Sequence, residues 1–468
     1  MLRLPVTFAV FIIAASCSSK QVKQPPVLDN KTVVVAQLKE NLPVDTVIRS
    51  IPCKTAPAQS FSLYLPPSYS SNVPFPVLMF FDPHGDGSLP VSKYHLLARK
   101  FGYVLIGSNN ARNGLTPDQT NNIAATLTQD LRTRIAADEK RITLAGFSGG
   151  AKVALAYTYS HPEVQHVIYA GAAIPLPLSA PPLAMLGFAG INDMNYTDLL
   201  AFDQSIKKTA ISHLLIEWNG KHEWPDTAAF RDAFYWLSFE AMRSSQEFDE
   251  SLLQTFSEAI AKKIAATSEP VSKAMQLNKA IFFLQGITAT DRYQVQLDAL
   301  MADNAFQAAL QQKQQALQTE SRLKQNYYAA FQDKDLQWWK NEIARMKQMT
   351  DPSTTAMYQR LLGFISLACY SISGNAIAQS QWSTAEKMLA IYKLADPMNA
   401  DQPFFEACYF ARLGENKNAL ISLNRAVDLG LKDPDKILHE PALLSLQNEP
   451  GFISLVAKLQ QQTISSHR

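Results

Sequence analysis

The segment ITLAGFSGGAKVAL, residues 142–155, constrains the fold more than any other part of the chain. Three of the chain's 18 glycines, Gly146, Gly149 and Gly150, surround Ser148 in this segment. The residues before the serine form an apolar run typical of a strand, and those after it have helical spacing. Ser148 therefore lies either in an ordinary tight turn or at a strand end that presents a nucleophile.

Residues 146–150 match the pattern G-x-S-x-G. In that pattern the serine takes an unfavourable backbone conformation at a strand-to-helix turn, so its neighbours must be small. The serine Oγ is then exposed at the carboxyl end of the sheet, and the N-terminus of the following helix faces the negative charge that develops there. We interpret Ser148 as a nucleophile.

The region 48–242 alternates short apolar runs with helical segments, which predicts a mainly parallel sheet with helices on both faces. From residue 243 the strand signal ends, and Ala-, Leu-, Gln- and Lys-rich segments predict an all-helical remainder. The runs predicted to be strands are FSLYL, PVLMFF, YVLIG, ITLAG, HVIYAG, LAMLGFAG and HLLIEW, and the clearest helical segments between them are NNIAATLTQDLRTRIAADEK and AKVALAYTYSHPE.

A serine hydroxyl needs a base to take its proton. Of the eight histidines, His222 has the best setting, in a loop after the last predicted strand and before a helix. Three further histidines of this region are expected to be structural: His161, His166 and His213.

The acid should lie between serine and histidine in the chain and after a strand. Asp193 and Asp198 both satisfy this order. We assign Asp193 as the acid because it lies closer to the strand end, and we expect Asp198 to cap a helix N-terminus. The chain order Ser148, Asp193, His222 is the order found in α/β hydrolases.

Residues 48–242 resemble α/β hydrolases of the esterase group that includes polyhydroxybutyrate-depolymerase-like and feruloyl-esterase-like enzymes. The matching segments are GFSGGAKVAL, GINDMNY, GKHEWP and FFDPHGDG. The resemblance implies hydrolysis of small-molecule or polymer-linked esters by the Ser148–Asp193–His222 triad through an acyl-enzyme. It also implies an oxyanion hole made by the Gly149 amide and one from His84 or Gly85. No cofactor is implied, and no His, Cys and carboxylate cluster has zinc-site spacing. Trp224 and the loop 109–114 would line the pocket or lie on the loop surface.

The helical remainder divides into residues 243–365 and residues 366–468. The second part resembles tetratricopeptide repeats, because Ala385 recurs as Ala419 at an interval of 34 residues. Gly414 stands at the expected turn of the later copy, whereas Ser380 stands there in the earlier one. We expect residues 243–468 as a whole to supply no triad residue and to act either by packing on the hydrolase domain or by binding a protein partner.

The first 16 residues have a positive charge, an apolar run and small residues before Cys17, as in a lipoprotein signal peptide. We expect Cys17 to be lipidated and residues 17–47 to tether a hydrolase domain of residues 48–242 to a membrane of the bacterial cell envelope, facing the periplasm or the exterior. No later segment is expected to span a bilayer. The net charge of +2, without a long basic block, gives no support for a nucleic-acid partner.

Two alternatives to an esterase stay open. One is a serine peptidase of the prolyl-oligopeptidase type, although no β-propeller precedes the hydrolase region here. The other is a binding or scaffolding lipoprotein that acts through its helical repeats. Of the remaining cysteines, Cys369 and Cys408 are expected to be small core residues or to form a mutual disulfide.

Overall fold

The computed structural model describes residues 39–466, in which eight strands form one sheet. The strands are β1 (Val47–Pro52), β2 (Ser60–Tyr64), β3 (Phe75–Phe81), β4 (Val104–Ser108), β5 (Ala137–Phe147), β6 (His166–Ala170), β7 (Ala184–Gly190) and β8 (Ser212–Trp218). Their order across the sheet is β1-β2-β4-β3-β5-β6-β7-β8. β2 runs antiparallel to both of its neighbours, and all the other pairs are parallel. Each apolar run predicted to be a strand is one, and β1 is an additional strand that its sequence did not reveal.

Helices cover both faces of this sheet. The helices within the hydrolase region are α1 (Ser88–Phe101), α2 (Pro117–Arg134), α3 (Gly149–Ser160), α4 (Tyr196–Ile206) and α5 (Thr227–Ser245). Buried side chains of α1 and α5 belong to one core, and those of α2, α3 and α4 belong to the other. In β3, Phe80 packs into the first core and Phe81 into the second. A strand buried on both faces has no polar face, which explains its continuous apolar sequence.

The helix predicted within residues 121–140 ends earlier than expected. α2 ends at Arg134, and β5 already begins at Ala137. Ala137 pairs with Phe75 of β3, so a long-range strand pairing overrides the local helical preference of ADEK.

After α5, every element in the described residues is helical. The elements are α6 (Glu250–Ala266), α7 (Pro270–Leu284), α8 (Asp291–Met301), α9 (Asn304–Asp333), α10 (Leu336–Lys347), α11 (Pro352–Ala378), α12 (Trp382–Ala395), α13 (Asp401–Arg412), α14 (Asn416–Asp428), α15 (Pro434–Leu438), a 3₁₀ helix (Pro441–Leu446) and α16 (Pro450–Ser466). The mainly parallel sheet with helices on both faces and the all-helical remainder confirm the predicted fold class, an α/β hydrolase followed by a helical domain.

The first of these helices share the core of the hydrolase region. The ring of Phe239 in α5 lies 5.2 Å from that of Phe256 in α6, which in turn lies 5.3 Å from Phe283 in α7. The predicted boundaries after residues 242 and 365 lie inside α5 and α11. Neither boundary coincides with the end of a helix. The division into 48–242, 243–365 and 366–468 stays a prediction.

α11 corrects one expectation about membranes. Its segment Thr354–Ala378, with a mean hydropathy of 1.5, is long and apolar enough to cross a bilayer by length and composition, so the expectation of no such segment was wrong. Half of its most apolar window is buried within the protein. Leu361, Ile365 and Cys369 pack there against α10 and α12, as in the core helix of a folded domain.

The 34-residue offset recurs in the backbone of the last helices. Ser380 has a φ of 57° in the turn between α11 and α12, and Gly414, 34 residues later, has a φ of 78° between α13 and α14. Serine thus adopts the left-handed turn for which glycine was expected. The same hydrogen bond closes both turns, from the Gln381 N–H to the Ala376 carbonyl at 2.8 Å and from the Glu415 N–H to the Phe410 carbonyl at 2.9 Å. Assignment to the tetratricopeptide class stays a prediction.

The cysteines of the described residues are free and buried: Cys53, Cys369 and Cys408. Burial raises the pKa of the Cys53 thiol to about 11. Cys369 and Cys408 are therefore core residues and form no mutual disulfide. Cys17, the signal peptide and residues 17–38 of the tether lie outside the described residues.

Candidate active site

Ser148 lies at the turn between the central strand β5 and helix α3. Its φ of 52° and ψ of −120° lie outside the regions that side chains with a Cβ prefer. Such strain persists only where the surroundings hold it, and it is a recurrent feature of functional turns. Here the Ser148 N–H donates to the Ala170 carbonyl of β6 at 2.8 Å.

Each glycine beside Ser148 allows a close approach. A Cβ on Gly146 would lie 2.1 Å from the carbonyl oxygen of Gly150, and one on Gly150 would lie 1.9 Å from the carbonyl oxygen of Phe81. A Cβ on Gly149 would lie 1.8 Å from Oδ1 of Asn113. The glycines therefore let the turn pack against β3 and the loop that follows β4, which an ordinary turn would not require.

His222 follows β8 and reaches the serine. Its Nε2 lies 2.9 Å from Ser148 Oγ, and its ring packs on Phe147 with 4.8 Å between ring centroids. The side chain is 22% exposed, so the imidazole has access to solvent. A chain segment 74 residues from the serine thus supplies the group beside its hydroxyl.

Asp193 lies in the turn after β7, within a segment of residues 191–197 that we call the acid loop. Its carboxylate is 1% exposed, and its two oxygens lie 2.9 and 3.0 Å from His222 Nδ1. Oδ1 also accepts a hydrogen bond from the Asn195 N–H at 2.8 Å. The structure therefore brings Ser148, His222 and Asp193 together at the carboxyl edge of the sheet.

Asp198 does not cap a helix, contrary to the sequence-based expectation. α4 begins at Tyr196, its N-cap residue is Asn195, and Asp198 lies within the first helical turn. The N-cap residue thus lies three residues earlier than expected, because the Tyr196 N–H bonds to the Asp193 carbonyl at 2.9 Å and the helix starts there. Asp198 is still favourably placed there, because a carboxylate in the first turn interacts well with the helix dipole.

The three histidines expected to be structural make their contacts away from this site. His161 Nδ1 lies 2.8 Å from the Tyr157 carbonyl, and His213 Nε2 lies 2.6 Å from the Tyr169 hydroxyl. His166 packs edge-on against Trp236. Their environments agree with structural roles.

The backbone N–H groups expected to form the oxyanion hole differ in whether they already donate a hydrogen bond within the protein. Gly149 is the first residue of α3, so its N–H has no carbonyl partner within the helix. The His84 N–H instead donates to Asp82 Oδ1 at 2.9 Å, and the Gly85 N–H donates to the Asp82 carbonyl at 3.1 Å. Since Pro83 has no N–H, this loop offers no free amide between residues 83 and 85. The assignment of His84 or Gly85 as second donor is therefore not supported in this conformation.

Asp82 and Trp224 connect the loop after β3 to the loop that carries His222. Trp224 Nε1 donates to Asp82 Oδ2 at 2.8 Å, and both side chains are buried. The indole also packs between Phe80 and Phe147. Trp224 is thus a core residue that fixes two loops, rather than a pocket wall. The sequence did not predict this hydrogen bond, because an aspartate that follows a strand can have many different partners.

Asn113 is a further residue at the site. Its N–H donates to the Pro83 carbonyl at 2.8 Å, which holds the loop 109–114 along the β3 loop. Its side-chain amide then lies directly over Gly149, the residue that follows Ser148. The sequence left open whether this loop lines the pocket or lies on the surface, because contact between loops of two different strands has no local signature.

Among residues 39–466 no group of three His, Cys, Asp or Glu side chains is arranged to hold a metal ion. No protein-family model and no curated protein matches the chain.

Solved structures similar to part of the chain include three hydrolases. S-formylglutathione hydrolase from Staphylococcus aureus is 13% identical, with a TM-score of 0.34, over 42% of this chain and 98% of its own. Esterase B from Lactobacillus rhamnosis is 16% identical, with a TM-score of 0.36, over 43% of this chain and 89% of its own. A hyperthermophilic esterase from the archaeon Pyrobaculum calidifontis is 13% identical, with a TM-score of 0.33, over 43% and 85%. Such values carry no inference about the activity of this chain.

Proposed function

We propose that the protein is a serine hydrolase that cleaves carboxylic esters, with Ser148, His222 and Asp193 as its triad. What carries the proposal is the position of one imidazole, 2.9 Å from Ser148 Oγ through Nε2 and 2.9 Å from Asp193 through Nδ1. An ionised carboxylate only accepts hydrogen bonds, so Nδ1 carries the imidazole proton. The lone pair of Nε2 then faces the serine hydroxyl.

In the proposed reaction Ser148 Oγ attacks the ester carbonyl while its proton passes to His222 Nε2. Asp193 holds the imidazole in this tautomer and stabilises its cation. His222 then gives the proton to the leaving alcohol, which leaves an acyl group on Ser148. A water molecule, deprotonated by His222, attacks the acyl-enzyme, and the carboxylic acid leaves as Ser148 regains its proton.

The negative charge of the tetrahedral intermediate needs hydrogen-bond donors. We propose the Gly149 N–H as one of them, supported by its place at the N-terminus of α3. The amide of His84 or Gly85 can serve as the second donor only if it leaves Asp82. Loss of one such donor typically costs about 10²–10³ in turnover.

Labelling with a fluorophosphonate probe tests this proposal. The probe should attach to Ser148, as mapped by peptide mass spectrometry, and a panel of chromogenic esters of different acyl lengths should be hydrolysed. Ser148→Ala should abolish labelling and lower kcat on the order of 10⁶-fold. The matched control is Ser160→Ala, at the exposed end of the same helix, which should leave both unchanged. Full hydrolysis by Ser148→Ala would contradict the proposal.

The same panel separates the alternatives. Labelling at Ser148 with amide cleavage in place of ester cleavage would favour a serine peptidase. A folded chain that neither labels nor hydrolyses would favour a binding or scaffolding role for the helical repeats.

We also propose that the protein is attached to a membrane of the bacterial cell envelope through a lipid on Cys17. The support is the sequence pattern of residues 1–17 alone. Cells given labelled palmitate should incorporate it into the wild-type chain and not into Cys17→Ser. The variant should also leave the membrane fraction, and its retention there would contradict a lipid anchor.

A further inference from the structure

The acid loop contacts the distant helices α9 and α11. Nη1 of Arg360, in α11, donates to the Ile191 carbonyl at 2.6 Å. Nζ of Lys324, in α9, donates to the Met194 carbonyl at 2.8 Å and to Thr197 Oγ1 at 2.9 Å. These donors hold the backbone on both sides of Asp193.

The two cations belong to a buried network. Glu320 of α9 is fully buried and accepts from Arg360 Nε at 2.9 Å, and its carboxylate lies 3.3 Å from Lys324 Nζ. The Arg360 guanidinium also lies over the ring of Tyr196, 4.6 Å from its centroid. A single carboxylate cannot accept all the N–H groups of an arginine and a lysine. The remaining N–H groups of Arg360 and Lys324 donate to the carbonyl groups of the acid loop.

The backbone of α11 also comes close to this loop. A Cβ on Gly363 would lie 3.3 Å from Cβ of Met194, the residue that follows Asp193. A larger residue at this position would push the helix and the loop apart. The helix, its arginine and the loop therefore form one close contact next to the buried carboxylate.

Stability alone is a weak explanation for these charges. A buried ion pair costs desolvation, and apolar residues of similar volume often stabilise as well or better. What apolar residues cannot do is hold particular carbonyl groups at hydrogen-bond distance. In catalysis, a displacement of about 1 Å far from the chemistry can cost about 10²-fold in rate.

We propose that Arg360 and Lys324, joined by Glu320, are positioning residues that hold Asp193 against His222. The helical region thereby takes part in hydrolysis without supplying a group that touches substrate. This inference rests on the proposed function. It also predicts that the hydrolase activity responds to changes in how α9 and α11 pack.

The test uses the full-length chain, because α6 and α7 share their core with α5. Lys324→Met removes the two hydrogen bonds to the acid loop and keeps the apolar stem. We expect kcat for a chromogenic ester to fall about 10- to 100-fold with KM nearly unchanged, since the loop positions a catalytic group. The rate of fluorophosphonate labelling at Ser148 should fall in parallel. Lys324→Arg, which restores a cationic donor, should recover most of the lost rate.

Lys279→Met is the matched control. Lys279 is similarly buried and pairs with Asp232 at 2.6 Å, between α7 and α5, without a contact to the acid loop. This variant should lose thermal stability and keep kcat. An equal loss of kcat in Lys279→Met would show a general effect of buried lysine removal and would overturn the inference.

A double variant, Glu320→Leu with Arg360→Met, removes the arginine together with its carboxylate and leaves Lys324 with its hydrogen bonds to Met194 and Thr197. It should stay folded, by circular dichroism and thermal melting, and show the same selective loss of kcat. A kcat within about twofold of wild type in both Lys324→Met and the double variant would overturn the inference while the proposed function stands. A wild-type chain that is neither labelled nor active would overturn the proposed function, and the inference with it.

Discussion

The Ser148 turn and the acid loop follow parallel strands of the same sheet, but different parts of the chain hold them. The Ser148 turn is held by backbone contacts that the glycines beside it allow, with Phe81 and within the turn itself. The acid loop is held by Arg360 and Lys324, which lie more than a hundred residues away in sequence. The proposed nucleophile is thus readable from five consecutive residues, whereas the support of the proposed acid is visible only in the folded chain.

The largest expected effect tests the acid itself. Asp193→Asn should lower kcat about 10⁴-fold, because an amide favours the wrong imidazole tautomer. Asp198→Asn, five residues later in the first turn of α4, is the control and should change kcat less than about twofold. Steady-state kinetics on one ester would measure both. A similar loss in the two variants would mean that the loop, rather than the Asp193 carboxylate, matters.

A second prediction tests the backbone packing of the Ser148 turn. In Gly150→Ala the new Cβ would lie 1.9 Å from the Phe81 carbonyl oxygen, so β3 and the turn must separate. We expect a loss of about 2–4 kcal/mol in the free energy of unfolding, measured with urea. Gly102→Ala, where φ is 72° and nothing lies within 4 Å, should cost only about 1 kcal/mol. Equal losses would show that the turn tolerates a Cβ.

A third prediction concerns the loop that carries His222. Unlike the Ser148 turn and the acid loop, it is connected to the loop after β3 by one buried side-chain hydrogen bond, from Trp224 to Asp82. Trp224→Phe leaves Asp82 Oδ2 without its donor and should cost about 1–3 kcal/mol. It should also lower kcat several-fold, because the loop of the base loses that tie. Trp236→Phe removes a comparable indole bond, to Glu240, away from the site and should spare kcat. Unchanged kinetics in Trp224→Phe would show that the loop holds its geometry without the bond.

The smallest effect concerns pH and α4, the helix that begins within the acid loop. Burial lowers the pKa of His213 to about 4, and Asp203 of α4 lies 3.4 Å from its Nδ1. A histidine in the unfolded chain has a pKa of about 6.5. Between about pH 4 and pH 6.5, His213 is therefore protonated in the unfolded chain and neutral in the folded chain. The stability contributed by neutral His213 is complete above about pH 6.5 and declines as the pH falls toward 4.

Thermal melting from pH 7 to pH 4.5 would measure this decline. His213→Gln, which keeps a hydrogen-bonding group and cannot titrate, should show a shallower dependence of Tm on pH. Identical slopes for the two proteins would assign the acid sensitivity to other groups.

Sequence reasoning was most successful where a local pattern decides the outcome. The seven predicted strands, the turn at Ser148 and the loop after β8 all depend on neighbouring residues. It was less successful where distant segments compete. The end of α2 was missed because Ala137 pairs with Phe75, and the cap of α4 was missed because the Asp193 turn starts the helix early.

The amino-acid sequence by itself determined seven of the eight strands, the positions of Ser148, Asp193 and His222 at strand ends, and the change to an all-helical remainder. Apolar periodicity and small-residue spacing act over a few residues, so they can be read directly. Only the tertiary structure decided that Asp82 occupies the amides of His84 and Gly85, that Asn113 covers Gly149, and that α9 and α11 hold the acid loop. Those contacts join segments far apart in the chain, and a hydrogen bond depends on the position of both partners to within a few tenths of an ångström.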